Sequence, residues 1–280
     1  MKAFISIDME GLPHIVSREH LLPGKHLYQE ARTIMTDCLL AVVEALHEEG
    51  VGRITVADSH GPMVNVLPER LPDYVELVRG YPRSQAMVTG SEGSDMAIFL
   101  GYHARTGVPS ATFDHVYSGQ VIREVRLNGA EASEFLLNAA LLGERGIPII
   151  LVAGDKALIQ GDVAKWAPWA AGVVMKESVG RYAASSPSTT KVMGALREAT
   201  KRTLESHRAG RTGAVKLQTP VTMEVTFVNT AYAQIAGHLP QARAVDGTTI
   251  RFQSETVAEA YRVMELLVMA AHGIRAIAET

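Results

Sequence analysis

Ala3-Phe4-Ile5-Ser6-Ile7-Asp8-Met9-Glu10-Gly11 is a short, mostly apolar run that stops at two carboxylates and a glycine. Its β-branched and aromatic residues, and the abrupt polar exit, read as a buried strand over Ala3–Ile7. Beyond it the period changes. From Tyr28 to Glu49, Ala31, Met35, Leu39, Val42, Val43 and Leu46 fall on one helical face, and Gly50 and Gly52 stop the pattern. Arg53–Ala57 is again strand-like. Strand, helix and strand in this order form the unit from which parallel sheets are built.

The alternation continues. Tyr74–Val78 and Met96–Leu100 read as further strands, Val121–Leu127 as a half-exposed strand, and Ala130–Leu142 as a helix. Pro148–Val152 and Ala171–Met175 follow as strands. The expected class is α/β, a mostly parallel sheet flanked by helices. From about residue 188 the pattern changes to a polar helix (Thr189–Ser206), a loop at 208–213, strands at Val221–Val228 and Thr248–Phe252, and an amphipathic helix over Glu255–Ala271. These predict a metal-binding α/β core over 1–187 and a smaller C-terminal α+β lobe over 188–280, with one continuous domain as the alternative.

A chain of 280 residues accommodates either arrangement. The formal net charge of -3 offers no basic excess for phosphates, so nucleic acid is not expected as a partner. The one cysteine, Cys38, sits among the apolar residues of the first helix; this excludes an internal disulfide and a polythiolate zinc site, leaving His, Asp and Glu for any metal. The N-terminus meets Asp8 and Glu10 too soon for a signal sequence. The longest apolar stretch, Ile147 to Ala153, is too short to span a bilayer, so a cytoplasmic protein is expected.

In open parallel sheets, ligands bind just past the carboxyl ends of the strands. Asp8 and Glu10 lie past the first strand, Asp58 and His60 past the second, and His103 past the fourth. Asp8 and Glu10 are two apart, so in extended backbone both side chains leave one face. Two carboxylates held together repel unless a cation lies between them, and imidazoles suit zinc or a similar metal. Singly, these residues read as a turn cap, a loop histidine and a core histidine; their convergence on one edge favours a metal site. G-x-G-x-x-G, Walker A, H-E-x-x-H and G-x-S-x-G are all absent, which disfavours nucleotide and serine chemistry.

Four blocks in order, Ser6-Ile7-Asp8-Met9-Glu10-Gly11, Asp58-Ser59-His60-Gly61, Gly101-Tyr102-His103-Ala104 and Asn128-Gly129-Ala130-Glu131-Ala132-Ser133-Glu134, resemble the D-aminopeptidases of the dipeptide-operon type, a class of dinuclear zinc peptidases. The resemblance implies two zinc ions per subunit. Asp8 would bridge them, with Glu10 and His103 serving one and His60 and Glu134 the other. It implies a catalytic histidine at His115, release of N-terminal D-residues from short peptides such as D-Ala-D-Ala, and a homodecamer enclosing a chamber. Glu131, three residues before Glu134, is the rival fifth ligand. Two ions about 4 Å apart would activate a bridging hydroxide to attack the peptide carbonyl, and His115 would shuttle the proton.

Lys176 and Arg181, past a later strand, could bind a substrate carboxylate or an oxyanion, or simply pair with surface charges. Asp155 reads as a helix cap, His14, His20 and His26 as solvated loop histidines, and His207, His238 and His272 carry no assigned chemistry. Two other functions stay open: a metal-dependent phosphohydrolase, against which stands the absence of an Asp-x-Asp-x-Thr nucleophile, and a non-catalytic peptide- or metal-binding module.

Overall fold

The computed structural model describes residues 1–278. The opening run is strand β1 (Lys2–Ile7), and it lies in the middle of a seven-stranded sheet. Its neighbours are β2 (Arg53–Asp58) on one side and β4 (Met96–Tyr102) on the other, both parallel to it. β3 (Val75–Val78) lies beyond β2; β7 (Ile149–Asp155) and β8 (Ala171–Gly180) lie beyond β4, also parallel. The short antiparallel β9 (Ala183–Ser185) closes that end. The mostly parallel α/β class expected from the sequence is the class observed.

Period-2 alternation in β1 decides the layering. Ala3, Ile5 and Ile7 pack on one face, against helix α2 (Tyr28–Glu48) and helix α6 (Thr189–Arg208), in a core with Met35, Leu39, Leu196 and Leu204. Phe4 faces the other way, with Ala97 and Phe99 of β4, into a core formed with helix α3 (Glu134–Glu144) and a second sheet. Full burial on both faces is why these strands read as continuous apolar runs.

The second sheet is antiparallel, in the order β11 (Arg243–Ala244), β12 (Thr249–Ser254), β10 (Val221–Phe227), β5 (Ile122–Leu127) and β6 (Ala130–Glu131). It draws strands from both sides of residue 188. The long helix α8 (Val257–Ala278) packs on it and on α3, together with α7 (Thr230–Ala236). Between β7 and β8, single turns α4 (Lys156–Leu158) and α5 (Ala164–Trp166) flank a π-helical turn at Ile159–Val163. α1 (Arg18–Leu21) is one turn in the loop after β1. No helix among the described residues is long and apolar enough to cross a membrane.

One boundary departs from expectation. The helix foreseen over Ala130–Leu142 starts at Glu134: Ser133 caps it, accepting the Leu136 N–H at 3.3 Å, and Ala130–Glu131 instead pairs with β5. Asn128 (φ 47°) and Gly129 (φ 81°) form the left-handed turn that folds β6 back, and a Ser cap with a Glu behind it is a strong start signal.

Candidate metal centre

Two glycines bring the ends of β1 and β4 together. Gly11 N–H donates to Gly101 O at 2.7 Å, and a Cβ on Gly11 would lie 1.9 Å from Tyr102 O. Gly101 has φ +70°, and a Cβ there would lie 2.0 Å from Asp8 O. Only glycine tolerates such backbone contact. The contact holds Asp8 and Glu10 against His103.

Asp8, Glu10, His60, His103 and Glu134 are all buried and converge on one spot. His60 Nδ1 lies 2.8 Å from Glu10 Oε2 and 3.4 Å from Asp8 Oδ1. His103 Nε2 lies 3.7 Å from both Asp8 Oδ2 and Glu134 Oε2. His115 Nε2 lies 3.5 Å from Glu134 Oε1, and its ring stacks on His103 with centroids 4.4 Å apart. Asp8 thus turns its two oxygens to His60 and His103, and Glu134 turns its two to His103 and His115.

Each imidazole is pinned from behind. His60 Nε2 lies 2.9 Å from Leu21 O, His103 Nδ1 2.9 Å from Ala104 O, and His115 Nδ1 2.7 Å from Phe113 O. A carbonyl only accepts, so these nitrogens carry the proton and the opposite nitrogen of each ring is turned to the carboxylates. Backbone or carboxylate support of this kind is how metal-binding histidines are oriented.

The electrostatics show a deficit of positive charge. Burial pushes the Asp8 carboxyl well above the usual range, and Glu10 adds to the push. Burial would raise Glu10 too, but the His60 imidazole overrides it and holds it well below its ordinary value. Burial disfavours the charged imidazoles, yet Glu10 and Asp8 lift His60 well above its ordinary value, and Glu134 and Asp8 lift His103 to about 9. The cluster draws in cations. Even so, Asp8 Oδ2 and His103 Nε2 are buried without a hydrogen-bond partner. Such orphaned atoms are costly unless an ion or water meets them.

The neighbouring residues are accounted for by other bonds. Glu131 is half-buried in β6 and pairs with Arg105 and, at 3.4 Å, with Arg126, whereas Glu134 enters the cluster and also accepts the Tyr117 N–H at 2.7 Å. Asp58 accepts Asn65 Nδ2 at 2.7 Å and the Val66 N–H at 2.8 Å, shaping the loop that carries His60. Asp155 caps α4 through the Leu158 N–H at 2.7 Å, as expected, and also holds the Ala104 N–H at 3.0 Å. His20 is no solvated loop residue: it is buried, and its Nδ1 accepts the Ser17 N–H at 3.2 Å. Lys176 departs from both of its readings. It is 0% exposed and donates to Glu10 O and, at 2.6 Å, to Ile15 O, fixing the backbone that carries Glu10.

A cleft of about 470 Å³ opens over Asp8, Glu10, His60, His115 and Glu134. Its far wall comes from α8, through Glu265, Val268 and Met269, which the sequence marks only as members of an amphipathic helix, and His272, to which it gives no chemistry. Burial pushes the Glu265 carboxyl up to about 7.

Known proteins resemble this chain over nearly its whole length. The family model Peptidase_M55, described as D-aminopeptidase, matches residues 1–266. A D-aminopeptidase of Bacillus subtilis (strain 168) is 29% identical over 269 residues, covering 94% of this chain and 95% of the relative. The solved structure of the Zn-dependent D-aminopeptidase DppA from Bacillus subtilis, a self-compartmentalizing protease, matches with a TM-score of 0.92 at 27% identity, covering 97% of this chain and 98% of that one. This chain belongs to the D-aminopeptidase family of peptidases.

Proposed function

We propose that this chain is a zinc-dependent aminopeptidase that releases the N-terminal D-residue of short peptides, with two zinc ions per subunit held by Asp8, Glu10, His60, His103 and Glu134. The observation that carries this reading is the pair of orphaned buried atoms, Asp8 Oδ2 and His103 Nε2, inside a ring of carboxylates and pinned imidazoles. Carboxylate oxygen and imidazole nitrogen are a donor set suited to zinc. Asp8, which faces both His60 and His103, would help to hold both ions. Zinc bound there would supply Lewis acidity and a water-derived nucleophile at neutral pH.

The chain's own residues do the rest. Glu10 and Glu134 balance the positive charge, and Lys176 keeps the Glu10 backbone in place. His115 moves the proton at Nε2: Phe113 O holds its Nδ1–H, so Nε2 accepts from the nucleophile or, once protonated, donates to the leaving amine. Asp114 is not its orienting partner, since that carboxylate is bonded to Arg181 and to the Gly107 N–H at 2.7 Å. Residues 188–280 act as the covering lobe through α8. The protein works in the cytoplasm as a homo-oligomer, a decamer by likeness to its family, whose chamber admits short peptides.

The test is turnover by zinc-loaded protein of D-Ala-D-Ala, L-Ala-L-Ala and p-nitrophenyl phosphate. Release of free D-alanine from the first substrate, with the other two left intact, is expected. Phosphate release would favour a phosphohydrolase, and no turnover with zinc retained would favour a binding module.

A further inference from the structure

The two ends of the carboxyl edge of the large sheet carry different ionisable groups. β8 leaves the sheet at the end remote from β3, and Arg181 follows it immediately. At the opposite end, past β3, the Gln85 N–H donates to Glu265 of α8 at 3.3 Å. The carboxylate–imidazole cluster lies between them, past β1, β2 and β4. One cleft runs over all three: outside the cluster its lining carries two guanidinium groups, Arg18 and Arg181, one carboxyl, Glu265, and the imidazole of His272.

Arg181 is held in a presenting position. Its Nη1 donates to the Asp114 carboxylate and, at 3.1 Å, to Asp114 O, and its Nε donates to the Tyr182 hydroxyl at 3.3 Å. Among the described residues Nη2 has no partner, and the side chain is 45% exposed. A guanidinium fixed in plane on one side recognises a carboxylate well. Lys176, a cation within β8 itself, is sealed in the core and unavailable.

Resting on the aminopeptidase reading above, we propose that Arg181, assisted by Arg18, binds the C-terminal carboxylate of a short peptide substrate whose amino end points toward Glu265. An aminopeptidase must place the first carbonyl of its substrate at the metal cluster. A dipeptide spans at most about 7 Å, so its carboxylate lies one residue past the cluster, on the side away from the amino end. The arginines meet a negative terminus there, and Glu265 offers a carboxyl oxygen as acceptor on the amino side. Longer peptides carry the carboxylate past the arginines, so free dipeptides are the favoured class.

The experiment compares D-Ala-D-Ala with its C-terminal amide on the zinc-loaded full chain. Wild type should turn over the free acid with kcat/KM about tenfold or more above the amide, the scale of a hydrogen bond between charged groups. Arg181→Gln should bring that ratio toward one, raising KM for the acid severalfold more than KM for the amide. Because Arg181 also ties down Asp114, Arg18→Gln serves as a second variant; it should lower the ratio severalfold. Glu265→Gln should weaken both substrates together and leave the ratio at the wild-type value. A wild-type ratio near one overturns the proposal while the peptidase reading stands, because the amide is still cleaved. So does a ratio insensitive to both arginine variants, or one abolished by Glu265→Gln instead. Cleavage of neither substrate by wild type overturns the peptidase reading, and this proposal with it.

Discussion

On the outer face, α2 and α6 are laced together by charges that satisfy one another: Arg197 bonds Glu44 at 3.0 Å and also Glu48, and Lys201 bonds Glu48 at 2.8 Å. At the sheet edge, three buried carboxylates and their imidazoles lie as close, yet leave Asp8 Oδ2 and His103 Nε2 without partners. The outer cluster is complete and solvated, so it contributes little and asks for nothing. The inner one is desolvated and short of positive charge, a state that stays folded only with protons or a cation supplied. Density of charge marks neither as functional; the unmet demand does.

Asp8→Asn should break the inner cluster most severely. It removes the carboxylate that faces His60 and His103, and kcat/KM for D-Ala-D-Ala should fall on the order of 10³-fold or more, read by release of free alanine. His115→Gln should follow, lowering kcat about 10²- to 10⁴-fold while bound zinc, read by elemental analysis, stays at the wild-type level. Retained turnover would remove His115 from the mechanism.

A third effect is a pH dependence confined to the metal-free protein. The His103 pKa is raised to about 9 when folded, against an ordinary 6.5. A raised imidazole gives stability that is full below about 6.5 and is lost as pH rises through about 9. Chelated protein should therefore melt progressively lower across that window, and zinc-loaded protein should not, as followed by circular dichroism. The smallest effect belongs to the outer cluster: Glu48→Gln should shift Tm by no more than about 2 °C and leave turnover unchanged. A larger shift would mean that the two clusters differ less than proposed.

Much of this contrast was legible in the sequence where local pattern decides it. β1 and α2 are set by periods of 2 and 3.6, and strand-end positions put Asp8, Glu10, His60 and His103 on one edge before any coordinates. Asp8 and Asp58 show where that ends. Both are buried acids closing neighbouring parallel strands, with Ile7 in register with Asp58. The loop at Asn65–Val66 saturates Asp58, whereas Asp8 keeps a buried oxygen, Oδ2, without a partner. Glu134 was the preferred ligand and Glu131 its rival on one expected helix; a Ser133 cap and a two-residue strand send them in different directions. Lys176, charged and past a strand, suggested a surface or a ligand, yet its ammonium is held by two backbone carbonyls from a loop over 160 residues away in sequence. Glu265 and His272 reach the cleft only because α8 packs across α3 and the second sheet. Long-range packing of this kind leaves no local trace.

The central claim is that the inner cluster is a two-metal site, and the most direct measurement is zinc per chain by elemental analysis after zinc loading and exhaustive dialysis. The account predicts two zinc ions per chain in wild type, and fewer than about one in the Asp8→Ala, His60→Ala double variant. Zinc no higher than background in wild type, or unchanged in the double variant, would contradict it.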